Sequence, residues 1–423
     1  MAQNDEIILI NINGADRPGV TAALTEILAK NNAVILDIGQ ADIHNHLSLG
    51  ILFQSTEGNS GDILKELLFK SYELDVNIRF NPITEQEYSK WVGMQGKNRY
   101  IITILSRKLT AKQIAGVSRI VAEQDMNIDD IKRLTGRIPL DENARTPKAS
   151  VEFSVRGTPK NKECMKAEFM KLSTELEMDI SFQEDSMYRR MRRLICFDMD
   201  STLIETEVID ELAMRAGVGD QVKAITVRAG VGDQVKAITE AAMRGEIDFC
   251  ESFRQRCALL KGLDVSVMQE IAENLPITEG VDRLMRILKK VGFKIAILSG
   301  GFTYFGNYLK EKFGIDYVYA NELEIVDGKL TGRYLGEVVD GKRKAELLRL
   351  IAQVEKVDIK QTIAVGDGAN DLPMLTLAGL GIAFHAKPKV VENAKQAINT
   401  IGLDGVLYFL GFKDSYLEER GRL

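Results

Sequence analysis

Residues 193–207 read Arg193-Leu-Ile-Cys-Phe-Asp-Met-Asp-Ser-Thr-Leu-Ile-Glu-Thr-Glu207, and their reading decides the fold. The apolar run Leu194 to Phe197 stops at Asp198, followed by a second carboxylate at Asp200 and a hydroxyl at Thr202. Four apolar residues without alternation suit a strand buried on both faces of a parallel sheet. Such sheets place their chemistry just beyond the carboxyl ends of the strands, where Asp198 falls. Side chains two apart on an extended chain share a face, so Asp198, Asp200 and Thr202 converge if the chain stays extended. Carboxylates that close repel unless a cation lies between them, and hard oxygen ligands point to Mg²⁺.

Three further stretches carry the same kind of signal. Phe293 to Leu298 is an apolar strand ending in Ser299-Gly300-Gly301-Phe302, and Thr362 to Val365 ends in Gly366-Asp367-Gly368-Ala369-Asn370-Asp371. Between them Lys344 opens an amphipathic helix. Paired carboxylates, then hydroxyl, then lysine, then acidic loop: this order resembles the haloacid dehalogenase superfamily of phosphatases. The resemblance implies a Rossmann-like α/β core with a helical cap. It implies that Asp198 is the nucleophile and Asp200 the general acid and base, with Mg²⁺ bound by Asp198, Asp367 and the backbone carbonyl of Asp200. Ser299, Gly300 and Lys344 would hold the phosphoryl group, and Asn370 and Asp371 would orient metal ligands or Lys344.

The segment after Thr202 is expected to form the cap, about residues 205–275, within a phosphatase domain over 190–423. In it, Glu207, Met243, Phe249 and Arg256 match the pattern of the phosphoserine phosphatase family. The resemblance implies that Glu207 holds a substrate ammonium and Arg256 a carboxylate, while Met243 and Phe249 close the apolar side. One feature breaks that pattern. Arg215 to Thr226 recurs without change from Arg228 to Thr239, an offset of 13 residues. Thirteen helical residues turn through about 1300°, leaving roughly 220° of phase error, so the extra copy is expected to loop out.

The N-terminal part predicts two smaller units, over 1–85 and 99–186. Strand, helix, strand, strand, helix, strand is the ferredoxin-like βαββαβ plan. The first copy runs from Ile7 to Phe80, with Val20, Ala23, Leu24, Ile27 and Leu28 on one helix stripe. Its Asp16-Arg17-Pro18-Gly19 loop resembles that of ACT domains, which implies an amino-acid effector; alternatively Asp16 simply caps the helix. The second copy, from Tyr100 to Phe182, carries Ser106-Arg107-Lys108-Leu109-Thr110 there instead and reads as a structural or interface element. Trp91 to Asn98 reads as a linker. His44 and His46 are expected to share a strand face without a third metal ligand.

The 423 residues, 27% charged and 45% hydrophobic, are ordinary for globular protein, and the net charge of −6 gives no general attraction to nucleic acid or membrane. The four cysteines have no metal-ligand spacing, so a reduced, cytoplasmic setting is expected. These readings converge on a Mg²⁺-dependent hydrolase of O-phosphoserine acting in serine biosynthesis, and on a homodimer. Two rivals stand beside it: a phosphatase for another small phosphoester, and a cap-disabled amino-acid-binding regulator.

Overall fold

The computed structural model describes residues 6–55, 59–94, 98–137, 147–217 and 249–417. The chain divides into two compact units, Met1–Lys97 and Asn98–Leu423.

The first unit is an antiparallel sheet of β1 (Glu6–Ala15), β2 (Val34–Ile43), β3 (His46–Ser55) and β4 (Val76–Ile83), in the order β2-β3-β1-β4. Alternation does the sorting: Ile8, Ile10 and Ile12 of β1 and Leu47, Leu49, Ile51 and Phe53 of β3 all point into one core. The helix Val20–Lys30 covers that core with Val20, Leu24, Ile27 and Leu28, and the helix Ser60–Glu73 adds Ile63 and Leu67. Three expectations need correction here. Asp16 is not the helix cap; Gly19 is, at φ 96°, a left-handed conformation that glycine adopts without strain. His44 does not share a strand face with His46. It forms a two-residue hairpin turn with Asn45, at φ 55° and 58°, the paired positive angles that match the twist of flanking strands. Trp91 to Gly93 are not linker: Thr84 and Glu87 make a reciprocal capping box that drives a helix over Glu85–Gly93.

The second unit begins with the same plan in β5 (Arg99–Ser106), β6 (Asn127–Arg133), β7 (Ala149–Arg156) and β8 (Asp179–Glu184), ordered β6-β7-β5-β8. It continues, inside the same unit, into a seven-stranded sheet: β9 (Leu194–Phe197), β10 (Lys294–Phe302), β11 (Tyr317–Val326), β12 (Lys329–Leu335), β13 (Thr362–Gly366), β14 (Leu380–Phe384) and β15 (Gln396–Ile398). The order β12-β11-β10-β9-β13-β14-β15 puts β9 at the centre, parallel to β10 and β13 on either side. Leu194 to Phe197 are wholly buried, as an unalternating run between two helical layers must be. The expected hairpin at Asp327-Gly328 forms, with φ 50° and 73° joining β11 to β12. The helix Val281–Lys290 buries Val281, Leu284, Ile287 and Leu288 as their spacing predicts.

The core of the seven-stranded sheet extends into the second ferredoxin-like element. Leu105 and Leu134 belong to the same buried cluster as Ile195 and Phe197. The buried carboxylate of Asp179 accepts from the Asn399 and Thr400 amides at 2.8 and 3.0 Å and from Thr400 Oγ1 at 2.6 Å. The amide of Gln396 exchanges two hydrogen bonds with the backbone of Phe182. Asp404, fully buried, accepts from Lys148 Nζ at 2.7 Å and from Arg283 at 2.9 Å. Among the described residues no helix is long and apolar enough to cross a membrane, and Cys164, Cys196 and Cys257 are free thiols. The repeat at 215–226 and 228–239 lies almost wholly outside the described residues.

Candidate active site

β9, β10 and β13 end side by side, so the residues that follow them meet at one edge. Asp198 follows β9 with its amide bonded to the Val365 carbonyl at 2.9 Å, which continues the strand pairing by one residue. Its Oδ1 accepts from the Met199 amide at 2.7 Å, and its Oδ2 lies 2.8 Å from Lys344 Nζ. Lys344 is itself fully buried in the first turn of the helix Gly341–Val354 and bonds Asp371 Oδ1 at 2.7 Å. A buried ammonium is tolerated because two carboxylates flank it, and they hold its pKa above the ordinary lysine value despite burial.

Asp200 reaches the site by a different route from the one expected. The chain does not stay extended: Leu203 N returns to the Met199 carbonyl at 2.8 Å and Ser201 takes a left-handed φ of 57°. This tight turn is what brings Asp200 back beside Asp198. Its carboxyl packs on Gly301, where a Cβ would come within 2.5 Å of Asp200 Oδ2, so only glycine fits there. Burial first, then the charges of Glu207 and Asp198, push the Asp200 pKa well above the carboxylate range. Its Oδ1 is out of water with no hydrogen-bond partner. A carboxyl so displaced is placed to donate a proton and to take one back.

Carboxylate oxygens of Asp198, Asp367 and Asp371 all lie within 4.8 Å of one another. Burial and the Asp198 charge push Asp367 up to about 7, and the same two causes raise Asp371. Such crowding is what a hard cation relieves, so the residues present fit a divalent metal with oxygen ligands. Asp371 already has both oxygens engaged, one by Lys344 and one by the Gly368 amide at 2.9 Å. Through the first of these bonds Asp371 positions Lys344. Thr202 Oγ1 reaches Asp367 Oδ1 at 3.3 Å, tying the β9 loop to the β13 loop.

Ser299 is buried within β10, where the pairing with β11 becomes irregular after Leu298, its Oγ accepting from the Gly301 amide at 2.9 Å. Asn370 sits in the short turn Ala369–Asp371 beside Gly368. Glu207 ends the turn, accepts from Ser201 Oγ at 3.0 Å and precedes the helix Val208–Ala216. Its pKa is raised by burial and by Asp198. Arg256, on the helix Phe249–Ala258, is half-buried; burial lowers its pKa, opposed first by Glu207. Its Nε has no partner, although it is out of water. Arg254 on the same helix is exposed and paired to Glu251 at 2.6 Å. Met243 and the side chain of Phe249 lie outside the described residues.

Sequence reasoning missed Asn321. It is buried on β11, donating to the Gly300 carbonyl at 2.7 Å and accepting from the Val339 amide at 2.9 Å, so it locks the Ser299–Gly300 turn in place. An asparagine after Tyr-Val-Tyr-Ala carries no pattern that marks it, because its role depends on two segments distant in sequence.

Comparison with known proteins agrees with this geometry. The ACT domain family matches residues 6–81 and, through a second ACT model, 99–183; the haloacid dehalogenase-like hydrolase family matches 192–379. The phosphoserine phosphatase of Streptomyces coelicolor is 38% identical over 97% of this chain and 93% of its own. That of Mycobacterium tuberculosis is 37% identical over 97% and 94%. Among solved structures, a probable phosphoserine phosphatase from Vibrio cholerae superposes with a TM-score of 0.56 at 36% identity, covering 74% of this chain and 86% of that one. A haloacid dehalogenase family hydrolase from Salmonella enterica gives 0.59 at 30% identity, covering 74% and 98%.

Proposed function

The chain belongs to the phosphoserine phosphatase family, with two ACT domains ahead of a haloacid dehalogenase-like hydrolase domain, and on that premise we propose that it hydrolyses O-phospho-L-serine to L-serine and phosphate through an aspartyl-phosphate on Asp198. The single observation that carries the reading is the pairing of Asp198, held by Lys344 at 2.8 Å, with a buried Asp200 whose pKa burial and the Glu207 and Asp198 charges push up. Two carboxyls with such different environments divide the work of nucleophile and acid.

Met199 N–H and Lys344 Nζ fix the orientation of the Asp198 carboxylate, which attacks phosphorus in line. Asp200 gives its proton to the departing seryl oxygen, then takes one from the water that hydrolyses the acyl-phosphate. Lys344, the Ser299 hydroxyl and the Gly300 amide offset charge on the equatorial oxygens. Mg²⁺, held by the carboxylates of Asp198 and Asp367 and the Asp200 carbonyl, would screen the repulsion between nucleophile and dianionic ester. Glu207 and Arg256 take the ammonium and carboxylate of the substrate, and the unpartnered Arg256 Nε favours that use. The reaction then closes serine biosynthesis, with an amino acid such as serine as effector at the first ACT domain, and a homodimer as the working form.

Phosphate release from free L-phosphoserine with Mg²⁺ tests the reading, with a variant lacking residues 227–239 alongside. Comparable turnover means the second repeat leaves the Glu207–Arg256 pocket working; activity in the deletion alone means it disables the cap. Cleavage of an aryl phosphate without phosphoserine turnover in either would overturn the substrate. Apparent Mg²⁺ affinity should fall as pH drops through about 7, because Asp367 must lose its proton to bind metal; calorimetry in two buffers would read the released proton.

A further inference from the structure

The second ACT domain and the catalytic sheet enclose a cleft of about 1120 Å³, remote in the fold from the β9–β10–β13 edge. Its wall is formed by β8 and the segment Ser186–Arg192 on one side and by β15 with residues 377–380 on the other. Six cationic side chains line it against three carboxylates. Two of those carboxylates are already paired, Glu163 to Lys166 at 2.9 Å and Glu184 to Lys162 at 3.0 Å; the third, Glu392, is exposed.

Two guanidinium groups lie in this wall, and one of them, Arg192, lacks a counter-charge among the described residues. Arg192 directs both Nη1 and Nη2 at one neutral acceptor, Gln183 Oε1, at 3.1 Å. Gln183 has no freedom to do otherwise, since its amide nitrogen donates to Ser181 Oγ at 2.8 Å and to the Phe409 carbonyl at 3.0 Å. Arg192 Nε is out of water with no partner. Arg189, 5% exposed, pairs one Nη with Glu152 at 2.6 Å, and its Nε is equally without a partner. Lys395, at the rim, donates to the Ala378 carbonyl, again a neutral acceptor. Among the described residues no carboxylate pairs with Arg192 or Lys395. Burial and the Arg189 charge pull Arg192 down to about 9, the mark of a cation without a counter-charge. An uncompensated cation held in a roomy cleft costs stability unless an anion arrives to meet it.

We infer that this cleft binds a phosphate-class oxyanion, either free orthophosphate or the phosphoryl group of a phosphomonoester, held by Arg189, Arg192 and Lys395. The guanidinium fork suits the oxygens of a tetrahedral dianion, and the ammonium supplies a point charge at the rim. The bound anion would bridge the second ACT domain to the segment leading into β9. Arg193 N, one residue on, already bonds the Gln361 carbonyl at 3.0 Å, and Asp198 follows five residues later.

The test is thermal unfolding of the full chain with Mg²⁺ in phosphate-free buffer, titrated with inorganic phosphate, for the wild type, Arg192→Met and Lys395→Met. Phosphate at the active site raises the Tm of all three, so the difference between them reports the cleft. At saturating phosphate the wild type should gain roughly 2–4 °C more than Arg192→Met. Without phosphate that variant should be at least as stable as the wild type, since it sheds an uncompensated charge. Its phosphoserine hydrolysis in phosphate-free buffer should be unchanged, which separates this site from the catalytic one. Equal phosphate gains in the wild type and both variants would overturn the inference. If Arg192→Met does not fold, Lys395→Met carries the same comparison. Methylphosphonate identifies the source: a gain matching that of phosphate assigns the site to phosphomonoesters, and a gain with phosphate alone assigns it to orthophosphate.

Discussion

The two ACT domains share one topology and differ in what their first loop does. In the first, the strand–helix connection carries Asp16-Arg17-Pro18-Gly19, and Gly19 starts the helix from a left-handed turn. In the second, Thr110 and Gln113 start the helix with a reciprocal capping box, which frees Arg107 to make a bidentate bond to Glu279 of the catalytic part at 2.9 and 2.6 Å. The first domain closes its own core within one compact unit. The second shares a core with the catalytic sheet through Leu105 and Leu134 and adds buried polar ties at Asp179, Gln396 and Asp404. A duplicated fold has thus been put to two uses, one a self-contained module and one a wall of the enzyme.

Three substitutions would break or sharpen that contrast. The largest effect is expected from Asp404→Ala, which leaves Lys148 and Arg283 without their buried partner. It should cost about 3–5 kcal/mol, seen in urea unfolding of the Asn98–Leu423 unit; a loss below the error of the fit would mean that the network is ornamental. Asp179→Ala comes next, orphaning two amides and a hydroxyl at the β8–β15 seam. About 2–3 kcal/mol is expected, together with faster hydrogen exchange at Asn399 and Thr400. Gly19→Ala is the smallest: there is room for a Cβ, but φ 96° strains any L residue. It should destabilise the first domain by roughly 1 kcal/mol and leave phosphate release unaltered. Equal loss in both units would blur the distinction between them.

Much of the site was legible because its residues follow strand ends. A buried, unalternating strand announces itself by composition, and the residue after it must lie at the sheet edge; Asp198 and Asp367 are of this kind, while Ser299 lies inside β10, just where its pairing with β11 becomes irregular. Lys344 was legible from its helix, although its complete burial between Asp198 and Asp371 was not. Asp200 was right in place and wrong in path, because a left-handed serine is invisible in sequence where asparagine or glycine would have signalled a turn. Asp16 and His44 failed for a related reason: both were read by residue preference, and backbone dihedrals decided otherwise.

Period and composition alone determined the elements, the two βαββαβ units and the central strand, because burial on one face or two leaves a local imprint on which residues alternate. Only the tertiary structure decided that the second ACT domain merges with the catalytic part, that Asn321 locks the Gly300 turn, and that Arg192 faces a cleft without a counter-charge. Those depend on which groups from distant segments share a low-dielectric space, and the free energy of a buried charge or amide is set by its neighbours, not by its own identity.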